Sequence, residues 1–302
     1  MANTTQCAAL ALLLVLPAKA SRPALREISA LYSSSSGGPH QRVVFLVKSD
    51  SSFYDSRLQW VHKTWAAAVE PDLLVVVGDE PHEGVLHTGC EAHSHGLGLC
   101  CKFARGLTDV VRKKRFDWVV VVDDDAYVNV AAMRTALPKL EGSAMMGIVG
   151  CGAHDCEGGF CGGGGYALNR KAAEALVRDD FEQEFMTACE GPCEGYEDIT
   201  VALLGRRRGM TGKSLQGLHG WSLNPKELKK EMSKCHPEPL TFHYLRSEEA
   251  FKEVHEYVRT NVRQCHGNKS LHLGSGLQEL AVSLSRAVGR EEGPSLMFLR
   301  GP

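Results

Sequence analysis

Along the chain, unbroken apolar runs of strand length alternate with segments whose apolar residues recur at helical spacing. The first run, "RVVFLVKSD" (Arg42 to Asp50), predicts a buried strand. In "SRLQWVHKTWAAAV" (Ser56 to Val69), Leu58, Val61, Trp65 and Val69 fall on one side of a predicted helix. "DLLVVVGDEP" predicts a second strand closing in a turn, "CCKFARGLTDVVRKKR" a helix, and "FDWVVVVDDD" a third strand. "AAMRTALPKL" continues as helix and "GIVGC" as a short strand. Because the strands are continuous Val/Leu runs rather than in-out alternations, they are expected to be covered on both faces. This predicts an α/β domain with a largely parallel central sheet. Ligands of such sheets bind beyond the carboxyl ends of the strands.

The flanks differ from this alternation. Cys7 to Leu16 is an unbroken apolar run followed by Pro17 and the small-residue stretch Ala18 to Ala20, the pattern of a signal peptide. It is shorter than the roughly 20 residues that span a bilayer, so a short signal anchor is the other form it can take. Residues 1–20 are therefore expected to target the chain to the secretory pathway, with a possible membrane tether, and 21–40, containing "SSSSGGP", to form a flexible stalk. The folded domain is expected over 41–265. Residues 266–302 form a Gly-rich appendage carrying the glycosylation sequon Asn268-Lys269-Ser270.

Charge and cysteine content narrow the partners. Thirty-four basic residues against thirty-six acidic ones give a net charge of −2, which offers no general attraction to nucleic acid. Of eleven cysteines, Cys7 lies in the targeting segment. The others are Cys90, Cys100, Cys101, Cys151, Cys156, Cys161, Cys189, Cys193, Cys235 and Cys265, an even set that in a secretory chain predicts disulfides of unspecified pairing. The competing expectation is a zinc site built from Cys151, Cys156 and Cys161 with His154.

Four stretches carry chemistry. Asp123, Asp124 and Asp125 end a four-valine run, and three adjacent like charges resist both desolvation and one another. A cation beside them relieves this, and carboxylate oxygens suit Mg²⁺ or Mn²⁺ bridging to phosphate. Gly162 to Gly165 lead through Tyr166-Ala167-Leu168 to a helix beginning near Asn169, and consecutive glycines allow backbone to approach a ligand closely. No Gly-Lys-Ser/Thr follows, which excludes a Walker-type phosphate loop. Glu197 and Asp198 open the apolar helical run Ile199 to Leu204, either as dipole-favoured acids or as a source of a catalytic base. His243 stands in "PLTFHYL" and becomes a metal ligand only if the fold carries it to the aspartates.

Taken in order, these stretches resemble the Fringe-like β-1,3-glycosyltransferases, in the family that includes the core 1 galactosyltransferases. The likeness runs from about Val43 to Cys265, through Lys48, Arg57, Thr64 and Trp65, "LCCKF", "WVVVVDDDAYVN", "GGGGYALNRKA", "YEDIT" and "FHY". The resemblance implies a single Rossmann-like GT-A domain using a UDP-sugar and Mn²⁺. By position it implies that Asp125 and His243 bind the metal and that Asp123 and Asp124 face the nucleotide. Lys48 falls near the uridine, Gly163, Gly164, Gly165 and Tyr166 border the sugars, and Asp198 matches the base with Glu197 beside it. Fringe has Pro-Asp-Asp where this chain has Tyr196-Glu197-Asp198, and Gly164 replaces an alanine. The Glu-Asp and "FHY" forms are closer to the galactosyltransferases, so the donor sugar stays open between N-acetylglucosamine and galactose.

The expectation is thus a secretory, Golgi-type enzyme that extends a glycan on a glycoprotein with inversion. The alternative is a secreted carbohydrate-binding protein that keeps the fold without catalysis.

Overall fold

The computed structural model describes residues 41–267 except 93–94, 139–141, 143, 154–155, 179 and 235–236, and the side chains of 261–267. The expected targeting segment and stalk, the sequon, His154, Cys235, the Cys265 side chain and nearly all of residues 266–302 lie outside the described residues.

Twelve strands run in chain order. They are β1 (Val43–Lys48), β2 (Leu74–Gly78), β3 (Val85–His87), β4 (Trp118–Asp123), β5 (Tyr127–Val128) and β6 (Met145–Gly147). After them come β7 (Val149–Ala153), β8 (Cys156–Phe160), β9 (Tyr166–Asn169), β10 (Gly212–Ser214), β11 (Leu218–His219) and β12 (Thr241–Phe242). The α-helices are α1 (Arg57–Lys63), α2 (Leu97–Lys113), α3 (Val130–Ala136), α4 (Arg170–Leu176), α5 (Phe181–Glu190), α6 (Glu197–Arg207), α7 (Pro225–Met232) and α8 (Glu248–Gly267). The described residues up to Thr260 belong to one compact unit. All of these elements belong to it except the end of α8.

A seven-stranded sheet has the order β10-β6-β9-β4-β1-β2-β3. β1 lies between β4 and β2 and is parallel to both, with Phe45 opposite Val120 on one side and Leu74 on the other. Val43 to Val47 and Val119 to Val121 are buried on both faces, which is why their sequence shows no alternation. Complete burial of each such side chain is worth about 1.5–3 kcal/mol. On one face α2 presents Cys100, Phe103, Ala104, Leu107 and Val110, all buried at helical spacing. The predicted helix over Ser56 to Val69 is shorter, α1 followed by a 3₁₀ turn at Trp65–Ala68, but all four expected apolar positions are buried. Trp65 Nε1 donates to the Ala126 carbonyl at 3.0 Å, tying this segment to the turn after β4.

One strand is opposed to the others. Tyr166 to Leu168, expected to lead directly into a helix, form β9 with Asn169, antiparallel to both β4 and β6. The turn that makes this possible is at Gly165, whose φ is +79°. Asn169 then caps α4 by accepting from the Ala172 N–H. A smaller sheet, β11-β12-β5, sits beyond the acidic turn, with Phe242 opposite Tyr127.

Four disulfides join Cys90 to Cys101, Cys100 to Cys189, Cys151 to Cys161 and Cys156 to Cys193. The zinc alternative is thereby corrected, because Cys151, Cys156 and Cys161 are all committed to bridges and offer no thiolate. The second bridge joins α2 to α5. The last two fasten the β7–β8 hairpin to the glycine loop and to the segment before α6.

Candidate active site

The parallel register of β1 and β4 sets Lys48 opposite Asp123 at the carboxyl edge of the sheet. The Asp124 N–H donates to the Lys48 carbonyl at 3.1 Å, so the acidic turn begins as an extension of the ladder. Lys48 Nζ stands 3.1 Å from Asp123 Oδ1 and 2.5 Å from Glu197 Oε2. The Tyr166 hydroxyl donates to the other oxygen of Glu197. Lys48 and Glu197 are almost fully buried, with side chains 3% and 2% exposed. Burial alone would lower the ammonium's pKa, but Asp123 and Glu197 outweigh it and raise it. Burial pushes Glu197 up to about 7 against the pull of Lys48. Glu197 and Tyr166 therefore act from behind the site: Tyr166 is 1% exposed, with its ring stacked on Phe160.

The three aspartates separate into two settings. Asp124 turns toward β1, where Ser49 Oγ donates to it at 2.7 Å and Arg57 Nη1 lies at 3.4 Å. Burial raises it to about 7 despite both partners. Asp123 and Asp125 turn instead toward His243, and the ligand atoms of these three residues lie within 4.8 Å of one another. His243 arrives because β12 pairs with β5, and β11 beside it brings up Gly220. Its Nε2 is 3.1 Å from Asp125 Oδ1, and its Nδ1 is 3.0 Å from the Gly220 carbonyl. A carbonyl only accepts, so the Nδ1 proton is held there and Nε2 is directed at the aspartates. Burial would lower the pKa of His243, but the Asp125 contact outweighs it and raises it. Burial would likewise raise Asp125, yet His243 and then Arg57 hold it low.

A divalent cation fits this arrangement. Oδ1 of Asp123 and Oδ1 of Asp125 are buried. Each faces a positively charged or chargeable nitrogen, on Lys48 or His243. Two carboxylate oxygens and one imidazole nitrogen form a donor set suited to Mn²⁺. Asp123, expected to face the nucleotide, thus lies with the two expected ligands.

The glycine loop closes the other side. Gly162 N–H donates to Asp198 Oδ2 at 2.5 Å, and Ile199 N–H donates to Oδ1 at 2.9 Å. Asp198 is raised chiefly by burial, partly offset by the Gly162 bond. Thr241 Oγ1 donates to the Gly164 carbonyl at 2.6 Å, docking the loop on β12. A Cβ at Gly163 would stand 2.8 Å from the Gly220 carbonyl and within 2.5 Å of the His243 ring, so only glycine fits there. The fold thus gathers Lys48, Asp123, Asp125, Gly162–Gly165, Glu197, Asp198 and His243 at one edge.

Sequence patterns did not reveal the supporting residues. Lys102, wholly buried, donates to the Ser49 carbonyl at 2.9 Å and lies 3.3 Å from Asp50 and 3.1 Å from Asp79. The available signal was a lysine on the apolar side of α2, answered by two aspartates at strand ends. Gly220 had no signal apart from its glycine-rich surroundings.

An α/β sheet with oxygen and imidazole ligands beyond its central strands is the class that fold and site define. The Fringe-like family model matches residues 39–148, which covers the first half of the motif resemblance. A curated relative, the beta-1,3-N-acetylglucosaminyltransferase radical fringe of Notophthalmus viridescens, is 25% identical over 122 residues. That match covers 38% of this chain and spans about a third, 31%, of the relative. Among solved structures, one similar chain is a glycosyltransferase involved in the glycosylation of the major capsid of PBCV-1. It has 11% identity and a TM-score of 0.41, with 70% of this chain and 98% of that one covered. Another is a glycosyltransferase of Streptococcus pneumoniae TIGR4, with 16% identity, a TM-score of 0.42, and 76% and 64% coverage. Overlays at this level bear on no chemistry. The glycine loop, Asp198 and His243 all lie beyond residue 148, so their role must be argued from geometry.

Proposed function

We propose that the protein is a GT-A-type, metal-dependent, inverting glycosyltransferase. It moves a hexose or N-acetylhexosamine from a UDP-sugar to a glycan on a glycoprotein, forming a β-1,3 linkage. The observation that carries this reading is the meeting of Asp123, Asp125 and His243 within 4.8 Å of one another, at the sheet edge that also holds Asp198 on the glycine loop. In this reading Asp123, Asp125 and His243 Nε2 hold the cation. Bound Mn²⁺ would supply Lewis-acid neutralisation of the departing diphosphate.

This chain's residues carry the remaining work. The glycine loop lets its backbone pack directly against Asp198, His243 and Gly220, which fixes these groups relative to one another. The Gly162 and Ile199 N–H groups aim Asp198, and its raised pKa makes it a stronger base than a solvated aspartate. Asp198 accepts the proton of the acceptor hydroxyl as that oxygen attacks the anomeric carbon from the face opposite UDP. The bond from carbon to diphosphate breaks and UDP leaves with the electron pair. General-base help of this kind is worth about 10²–10⁴-fold. Lys48, fixed by Glu197 and Tyr166, holds Asp123 in position. The four disulfides support a lumenal setting, for which we propose the Golgi with residues 1–20 as signal or tether. Among the described residues no helix is long and apolar enough to cross a membrane.

The test is UDP release from a panel of UDP-sugars with Mn²⁺, run on the parent and on Asp198→Asn. The parent should turn over one donor, and the variant should keep UDP affinity while losing transfer by about 10²-fold or more. Transfer near the parent rate would remove Asp198 as the base.

A further inference from the structure

The turn after His243 has a conformation that the metal cluster does not require. Tyr244 adopts φ +63°, an outlier for a bulky residue and one that persists only where its surroundings enforce it. Both its neighbours are pinned to Asp125. His243 Nε2 lies 3.1 Å from Asp125 Oδ1, and the Leu245 N–H donates to the Asp125 carbonyl at 3.0 Å. The reversal turns the Tyr244 ring outward, to 41% residue exposure, while keeping it 4.1 Å from the His243 ring. The Arg246 guanidinium then lies over that ring, 4.8 Å from its centroid.

Arg246 differs from the other cations of the site. Lys48 is committed to Asp123 and Glu197, and Arg57 to Asp124 and Asp125. Among the described residues, no carboxylate lies within 4.0 Å of Arg246, and it is exposed. The strained turn therefore orients an uncommitted guanidinium at the mouth of the cluster, with an aromatic face limiting its freedom.

We propose that Arg246 is a substrate-binding residue that takes a phosphate of the nucleoside diphosphate, with Tyr244 as its positioning residue. This rests on the proposed function and extends it. A diphosphate entering beside Asp123 and Asp125 meets like charge, and Lys48 and Arg57 are already engaged by carboxylates. A further cation at the mouth offsets it, most of all as UDP departs with increased charge. A planar guanidinium suits two phosphate oxygens at once, whereas an ammonium offers only a point charge.

The experiment compares binding of Mn²⁺ alone, uridine and UDP, the last two with saturating Mn²⁺, by calorimetry and by the Mn²⁺ paramagnetic resonance signal. Arg246→Ala should leave Mn²⁺ and uridine affinity unchanged and weaken UDP by about 10–100-fold, as loss of a charge-assisted contact does. Arg246→Lys should recover only part of the loss. Tyr244→Ala should weaken UDP less than Arg246→Ala, and the double variant should add nothing to Arg246→Ala. Equal loss for uridine and UDP, or UDP bound by Arg246→Ala as by the parent, overturns the inference. A parent that binds no UDP with Mn²⁺ overturns the nucleotide-sugar reading and this inference together. A parent that binds UDP beside an unaffected Arg246→Ala overturns the inference alone.

Discussion

Replacing Lys48 with methionine removes a buried cation and keeps most of its volume. Its partners are Glu197 at 2.5 Å and Asp123 at 3.1 Å, with Lys48 and Glu197 2–3% exposed, so solvent cannot screen what is left behind. Breaking a buried pair by removing one partner costs about 3–5 kcal/mol, because the remaining charge has no compensation. For a domain of this size that corresponds to a fall in melting temperature of about 6–20 °C. The pH dependence identifies the cause. Glu197 is already raised to about 7 from 4.5 beside Lys48, and without it the carboxyl should rise further. A carboxyl whose folded pKa exceeds its unfolded value contributes least above the folded value, so stability falls as pH rises from the unfolded pKa through the folded one. Parent and variant share the unfolded value and lose this stability in parallel up to about pH 7, so the deficit of Lys48→Met should widen as pH rises above about 7. Urea unfolding followed by circular dichroism, with the disulfides kept oxidised, measures it. Lys48→Met/Glu197→Gln should regain more than half the loss, since the amide needs no counter-charge and can still accept from Tyr166. A Lys48→Met variant within about 0.5 kcal/mol of the parent, or a double variant no better than the single one, would refute the reasoning.

Two further outcomes follow from the site. Gly163→Ala should displace His243, since the new Cβ would come within 2.5 Å of its ring, and Mn²⁺ affinity should fall about tenfold or more, with a stability loss of about 1–3 kcal/mol from the clash with the Gly220 carbonyl. Paramagnetic resonance titration checks it, and parent-like affinity would show that the loop can shift. His243 is raised above its ordinary 6.5, so its charged pair with Asp125 stabilises the fold fully below that value and is lost as pH rises through the higher folded one. Mn²⁺ competes with that proton, so its affinity should climb across the same window, and the climb should be absent in His243→Ala.

Much of the sheet was legible because Val43–Val47 and Trp118–Val122 have few alternatives: an apolar run of that length between polar turns is a buried strand. The acidic triplet was legible because its position contradicted its surroundings. β9 was not, since Tyr166-Ala167-Leu168 is too short to separate strand from helix entry, and its direction depends on neighbours far away in sequence. The helix Pro225–Met232 carried a full start signal, Asn224 with Pro225 and Glu227, which forms a capping box, yet its sparse apolar content hid it. Asp123 and Asp124 could not be told apart from sequence, because adjacent residues point to opposite sides and only the ladder to β1 decides which side meets His243. Ser49 and Lys102 were obscure for a related reason: each acts through a partner that only the tertiary fold brings near.

The reversed strand bears on how the site could change. In a wholly parallel sheet, the edge where ligands gather receives only segments that leave strands. Because β9 runs against β4, with Tyr166 opposite Val121, the segment entering it arrives at that same edge. A change in residues 162–165 would therefore act first on Asp198, His243 and Gly220, which pack against that loop, and not on the junction at Asn169, where β9 passes into α4 at the opposite edge. The candidate site and the junction with α4 thus meet opposite ends of one four-residue strand.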